Sequence, residues 1–464
     1  MTCGCYVRCR IMPIGNFFQR VSSTLSSNNN KLFIVIIATV ICVLIDSQLG
    51  IIADFIPGFL SSFEGTALFL SLIIVFIIAS YLMIKYIKNI NKLDRVRAFH
   101  LDVMYYVLIV AQCTMAFILA IIAFQMIIYH EYETHLLYIP HLVSYGIWIG
   151  ILALLACDFF SWYRNYNRNI MMLIFAFSMV AYVINGIFSL IGQLNMLEQQ
   201  NPNISSNSIA YFPEFSIDSF GSYVETITLI SSTIAYFLTW VGSVKLLYQS
   251  FKRFGKFKFW AIMISSLVYY NLIFPLFVLG YFSPSTDANA IIYIRIFSLG
   301  GVFTGIIFGI SFLSIAKTLG KDSSTRNYMI CASSGFLLFY ITGSALAAQA
   351  AYPPFGLISI SFIGLSCYLI YLGLYSSVLI VSQDATLLRS IKNSVTEQAK
   401  LLGSIGTAHR RKELESRVLN ITKRLAEKTE ESGVESSLTE TEMTDYIKKV
   451  VTEIEKHEKA KQED

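Results

Sequence analysis

Three of the chain's six histidines, His130, His135 and His141, fall within twelve residues, with Glu131 and Glu133 among them. Neutral imidazole beside carboxylate is a ligand set suited to zinc or copper, and imidazole also changes charge near neutral pH. Three readings are therefore open: a metal site, a pH-sensitive gate, or ordinary residues where a membrane meets water. The spacing matches no metal-binding motif, so neither a metal nor any other cofactor is assigned.

Other chemistry-bearing patterns fail. The sequence holds no GxxxxGK[ST] phosphate loop, no HExxH, no GxSxG and no CxxC pair, so an enzymatic reaction is not expected. His409 sits in Ala-His-Arg-Arg-Lys-Glu-Leu, without the proline and acidic neighbour of a phosphoacceptor box. Of the eight cysteines, Cys42, Cys113, Cys157, Cys331 and Cys367 lie in or beside apolar segments and read as small packing residues. Cys3, Cys5 and Cys9 read as a soft-metal site, an acyl anchor or incidental residues, since Met12 can also start the protein.

The elements that must position these residues follow from composition. The chain has 464 residues, 55% hydrophobic and 14% charged, and a mean hydropathy of +0.60. Charge is uneven: 31 of the 82 residues from Gln383 to Asp464 are Asp, Glu, Lys or Arg, against 34 in the preceding 382. Three parts result: an N-terminal segment at 1–31, a membrane domain at 32–382 and a polar tail at 383–464. The net charge of +5 divides as +6 on the body and −1 on the tail, so no basic domain for nucleic acid is expected.

A hydrocarbon core about 30 Å thick takes about 20 mostly apolar residues per helix. Ten segments reach that length: 32–53, 66–86, 103–129, 139–161, 170–194, 222–248, 259–281, 291–316, 328–351 and 355–382. Asp46, Ser47 and Gln48 interrupt the first. The first 31 residues lack the apolar run of a cleaved signal peptide, so the first span is expected to drive insertion. With the N-terminus inside, 19 Lys and Arg fall on the inner side before the tail and only Arg295 falls outside. That asymmetry gives an all-α, polytopic, ten-span protein with both termini cytoplasmic.

Charges are nearly absent from span centres. Asp46, Asp158, Glu225, Lys245 and Arg295 all sit within about two turns of a predicted helix end, where side chains snorkel. A proton- or ion-coupled transporter, which needs a carboxylate at mid-depth, is therefore disfavoured. Two polar or special features do fall at mid-depth. Pro275 clashes with the carbonyl of Asn271 and predicts a kink, read either as packing or as a gating point. Gly301, Gly305 and Gly309 recur every four residues and predict close helix packing, with Gly343, Ala347, Ala350 and Ala351 as the facing surface. The longest outer loop, about Asn195 to Gly221, carries aromatics among acids, including Tyr211, Phe215 and Asp218, and reads as a lid or as a surface loop. It also holds Asn203-Ile-Ser205, a glycosylation sequon.

In the tail, Leu388, Ile391, Val395, Leu402 and Ile405 follow the spacing of a coiled-coil seam that continues the tenth span. Thr439 and Glu442 form a capping box for a second helix whose Met443, Ile447, Val450 and Ile454 share an apolar face. Such a face wants a partner, either another copy of the chain or a cytoplasmic protein.

Ala351 to Gly356 (Ala-Tyr-Pro-Pro-Phe-Gly), Gly373 to Ser377 (Gly-Leu-Tyr-Ser-Ser), Ser382 to Asp384 (Ser-Gln-Asp) and Leu402 to Ala408 (Leu-Gly-Ser-Ile-Gly-Thr-Ala) resemble the C-terminal region of multi-span membrane proteins of ammonia-oxidising archaea. The resemblance covers about 80 residues, from the ninth span to mid-tail. It implies a shared architecture in an archaeal plasma membrane and no activity, ligand or catalytic residue. Gly403 departs from the pattern, where a helix-favouring polar residue is usual, and this counts against one unbroken tail helix. The functional expectation is a sensor or signal relay whose tail recruits a partner, with Leu388, Ile391 and Val395 as relay and Ile447, Val450 and Ile454 as partner face. The alternative is a channel or carrier for an uncharged solute, with an oligomerising tail.

Overall fold

The computed structural model describes residues 27–53, 63–93, 99–165, 170–198, 203–205, 219–248, 255–278, 287–318, 324–344, 354–383, 402–413 and 416. Ten long helices account for nearly all of them: α1 Ser27–Ala53, α2 Phe63–Leu93, α3 Phe99–Tyr129, α4 His135–Asn165, α5 Ile170–Glu198, α6 Ser219–Leu247, α7 Lys256–Val278, α8 Asp287–Thr318, α9 Ser324–Ser344 and α10 Leu357–Gln383. Each overlaps one of the ten apolar segments read from the sequence, and the class is all-α. Six of them, α2 to α6 and α10, are long and apolar enough to cross a membrane on their described residues.

Burial shows why apolar helices such as these suit lipid better than water. Helix α1 buries Leu32, Ile36 and Val43 while exposing Ile34, Ile37, Ile41 and Ile45. Helices α2 and α3 likewise expose Ile74, Ile78, Val107, Val110 and Phe117. Apolar side chains facing outward over several turns, in addition to an apolar core, are a surface that hydrocarbon accepts and water does not.

Two short strands close one end of the bundle. In β1 Glu131–Glu133 and β2 Asn203–Ser205, which pair antiparallel, Tyr132 lies opposite Ile204 and Glu133 opposite Asn203. They join the α3–α4 connection to the α5–α6 connection, and this is the sheet end. The sequon residue Asn203 is thus the first residue of β2.

Helix α10 is buried along its length, with α9, α4, α3, α1 and α2 packed around it. The approach of α9 is close enough to require glycine on both helices. A Cβ on Gly373 would lie 2.4 Å from the Ala332 nitrogen, and one on Gly335 would lie 2.6 Å from the Ile370 nitrogen. The start of α10 also depends on glycine: Gly356 has φ +91°, where a side chain is strained. Its cap comes from α1. Asp46, expected to snorkel near a helix end, instead turns inward and is fully buried. Its carboxylate accepts from the Gly356 N–H at 2.9 Å and from the Ser359 N–H and hydroxyl at 2.9 and 2.7 Å. A carboxylate at the positive end of a helix dipole, satisfying orphan N–H groups, explains how this residue sits inside the bundle.

Side-chain hydrogen bonds tie further helix pairs, as expected where no water competes. Gln112 of α3 accepts from Ser80 of α2 at 3.1 Å and donates to the Ser361 carbonyl of α10 at 3.0 Å. Asn185 of α5 donates to the Thr228 carbonyl of α6 at 2.8 Å, and the hydroxyls of Tyr182 and Tyr340 bond α5 to α9.

The glycine stripe of α8 meets α9 at a different level from that expected. Gly301 is buried; a Cβ on Gly305 would lie 2.9 Å from the Leu337 carbonyl oxygen, and one on Gly309 would lie 3.3 Å from that of Ser333. The Ser333 hydroxyl also donates to the Gly309 carbonyl at 2.6 Å. Among the described residues nothing lies within 4 Å of a Cβ on Gly343, and Ala347, Ala350 and Ala351 fall outside the described residues. Bulky Leu337 and Tyr340 supply the facing surface because glycine on one side is enough to admit them. In α7 the backbone is helical through Asn271 and Pro275 to Val278.

Candidate functional site at the tail end of the bundle

Opposite the sheet end, α10 carries tyrosines spaced three and four residues apart, Tyr368, Tyr371 and Tyr375, all buried. This spacing keeps them on one helical face. Tyr371 and Tyr375 stack at 5.5 Å, and the Tyr371 hydroxyl donates to Asp158 of α4 at 3.3 Å. Helix α3 brings its first turn alongside: the His100 ring meets Tyr375 edge-on at 4.7 Å. One turn beyond Asp158, Trp162 is buried against Phe159 and lies 6.4 Å from Tyr375.

The tail closes this cluster. Residues 402–413 form a helix whose Leu402, Ile405 and Ala408 are buried. A Cβ on Gly406 would lie 2.6 Å from Val381 Cγ1 of α10. A straight helix running on from α10 would hold these two residues about 37 Å apart, at 1.5 Å per residue. Residues 402–413 are therefore not a straight continuation of α10, in keeping with the departure at Gly403, and the apolar seam of 402–408 packs on the body. Next to it the His409 ring sits edge-on to Tyr375 at 5.7 Å and to Trp162 at 6.1 Å.

Charge and protonation are concentrated here. Burial is the largest influence on His409 and holds its imidazole below the usual value; Glu413 pulls the other way, while Lys412 and His100 push it further down. Lys412 also sets its charge against Asp158 and His100. Among the described residues, His100 Nε2, His409 Nδ1 and Trp162 Nε1 are buried without a hydrogen-bond partner. A neutral His409 fits this aromatic cage. An imidazolium, with a second proton to place and a desolvated charge, fits it worse. The arrangement is suited to holding or releasing the tail.

The residues singled out in the sequence are distributed differently. His130 and His135 are exposed, and His135 stacks on Tyr138 at 6.0 Å. His141 is fully buried and bonds through Nδ1 to the Leu137 carbonyl at 2.7 Å. The three do not converge, and among the described residues no three His, Cys, Asp or Glu side chains are placed to share a metal ion. Leu388, Ile391, Val395, Ile447, Val450 and Ile454, with Cys3, Cys5 and Cys9, lie outside the described residues. Sequence reasoning missed the tyrosine face of α10 and Trp162; the three-and-four spacing of Tyr368, Tyr371 and Tyr375 beside a polar tail was the available signal.

No protein-family model, curated protein or solved structure matches the chain.

Proposed function

We propose that this protein is a plasma-membrane signal relay with ten spans, both termini in the cytoplasm and the sheet end outside. Its tail changes between a docked and a released state and recruits a cytoplasmic partner when released. The observation that carries this reading is the return of 402–413 onto α10, with Gly406 against Val381 and His409 against Tyr375 and Trp162. Because α10 contacts α1 to α4 and α9, a rearrangement of any of these five bears directly on the helix on which the tail sits. A two-state contact of this kind is what a relay needs, provided that a stimulus prefers one state.

The orientation draws support from the two ends. The sheet end gathers connections that the positive-inside rule assigns to the outside, and the tail end gathers His100 and Trp162, which follow and precede basic inner segments. The test uses full-length protein in native membranes. Gly406→Leu, which cannot dock, is expected to raise partner recovery several-fold over wild type, and adding Val450→Asp to it is expected to abolish the recovery. Equal recovery with wild type and Gly406→Leu would contradict the relay.

A further inference from the structure

The helix at 402–413 has a direction as well as a position. A Cβ on Gly406 would lie 2.6 Å from Val381 Cγ1, the His409 ring meets Tyr375 at 5.7 Å, and the charge of Lys412 acts on Asp158, to which the Tyr371 hydroxyl donates. As the tail residues advance from 406 to 412, the matching level on α10 steps back from 381 towards 371. The tail helix therefore runs antiparallel to α10, and its last turn points at the bilayer.

Depth follows from length. About 20 residues cross the hydrocarbon, so α10, which begins at Leu357, leaves it between Tyr375 and Val381. Helix α4 marks the same level independently: Trp162, which the His409 ring meets at 6.1 Å, shares its last turn with the exposed Arg164. The cations that follow His409, namely Arg410, Arg411 and Lys412, are thus held where headgroups lie. Lys412 acts on Asp158 and His100 of the body. Arg411, about two and a half turns after the buried Leu402, falls on the opposite face of the helix, and both arginines are half-buried. Residues 402–413 carry a net charge of +2, although the tail as a whole carries −1, and the inner side of the body is itself basic. Bringing a cationic helix end to a cationic rim is opposed by Coulomb repulsion, so docking is favoured by anions at this level.

We propose that Arg410 and Arg411 of the docked tail bind the phosphate of anionic phospholipid headgroups in the cytoplasmic leaflet, so that anionic lipid holds the tail docked. Guanidinium groups pair with phosphate oxygens in a bidentate fork, and docking sets them at headgroup depth on a helix that is already ordered. A released tail must be brought to the surface and ordered before it makes the same contacts. The lipid therefore prefers the docked state, as a shift of population requires. The inference rests on the relay reading for its orientation and its two tail states, and it names the class of ligand that favours one of them.

The test uses the full-length, cysteine-free chain carrying Val381→Cys and Gly406→Cys, whose disulfide reports docking, in nanodiscs of phosphatidylcholine alone or with added phosphatidylglycerol. Under dilute oxidant the bond should form on the order of tenfold faster in the anionic nanodiscs, as two cations at a charged surface predict, and high salt should shrink the difference. Arg410→Gln with Arg411→Gln should abolish the acceleration and leave the rate in phosphatidylcholine as it was, a pattern that a merely structural role would not give. Equal rates in the two lipids, a slower bond in the anionic one, an acceleration that survives the double substitution, or the same acceleration by soluble glycerol phosphate in phosphatidylcholine would overturn the site. Equal partner recovery with wild type and Gly406→Leu, with the lipid response retained, would count against the relay alone.

Discussion

Asp46 and Ser359 are 313 positions apart, yet one carboxylate oxygen of Asp46 accepts both the backbone N–H and the hydroxyl of Ser359. Helix α1 thereby caps α10. Replacing Asp46 with alanine leaves the N–H groups of Gly356 and Ser359 without their acceptor inside the bundle. Asp46→Ala is expected to destabilise the protein by about 2 kcal/mol, the upper range for loss of a helix cap, and Asp46→Asn by less, since one amide oxygen remains. Thermal unfolding in detergent measures both; equal melting temperatures for wild type and Asp46→Ala would show that the cap contributes nothing.

The glycines of α8 to α10 should rank by the space around them. A Cβ at Gly373 meets backbone at 2.4 Å, one at Gly309 meets a carbonyl oxygen at 3.3 Å, and one at Gly343 meets nothing among the described residues within 4 Å. Gly373→Ala forces α9 and α10 apart and should cost about 1–3 kcal/mol, as overpacking does. Gly309→Ala should fall between the other two, and Gly343→Ala should be neutral or stabilising through its helix propensity. Gly305→Leu, whose larger side chain must displace Leu337, should also destabilise. The same melting series orders them, and a Gly373→Ala protein as stable as wild type would refute the close approach.

Acid should release the tail. His409 is held below its usual value in the docked state, chiefly by burial, so the docked state binds fewer protons than the released one. Its contribution to docking is fully present above the ordinary histidine value of about 6.5, declines as pH falls through that value, and levels off below the lowered docked value. Glu413, Lys412, His100 and Tyr375 are the titratable groups that act on it or touch it, and Asp158 faces His100 and Lys412 in turn. Spin labels at Arg164→Cys and Arg410→Cys in a cysteine-free background should show a short distance at pH 7.5 and a reduced short-distance population at pH 5.5. His409→Phe should remove the pH dependence. A distribution that is the same at both pH values in the parent, or that still responds to pH in His409→Phe, would contradict the assignment.

The helices were legible because apolar runs of about 20 residues have few alternatives, and Gly305 and Gly309 because a four-residue glycine repeat has a geometric meaning. Asp46 was not legible as a cap. In sequence it only interrupts an apolar run, and its partners Gly356 and Ser359 come from the other end of the chain. Gly335 and Gly373 carry no repeat, so nothing local marks them as contact points. The tail seam of Leu402, Ile405 and Ala408 has the spacing of a coiled coil, but that spacing states only that one face is apolar; whether a second copy or the protein's own body covers it is decided by the return of the chain. The three histidines were misleading for the opposite reason: neighbours in sequence, they diverge because α4 begins between His130 and His141 and turns the latter inward.

The central claim, that the tail docks on the end of the buried helix, is tested most directly by a disulfide between Val381→Cys and Gly406→Cys in a cysteine-free full-length protein in native membranes. A Cβ on Gly406 lies within bonding reach of the Val381 side chain, so mild oxidation should join the two quickly within one chain, as a shift on a denaturing gel reversed by reductant. A control pair at Val381→Cys and Glu133→Cys, the latter exposed at the sheet end, should not form. Absence of the 381–406 bond, with both thiols shown to be reactive, would mean that the tail runs away from the body and would contradict the account.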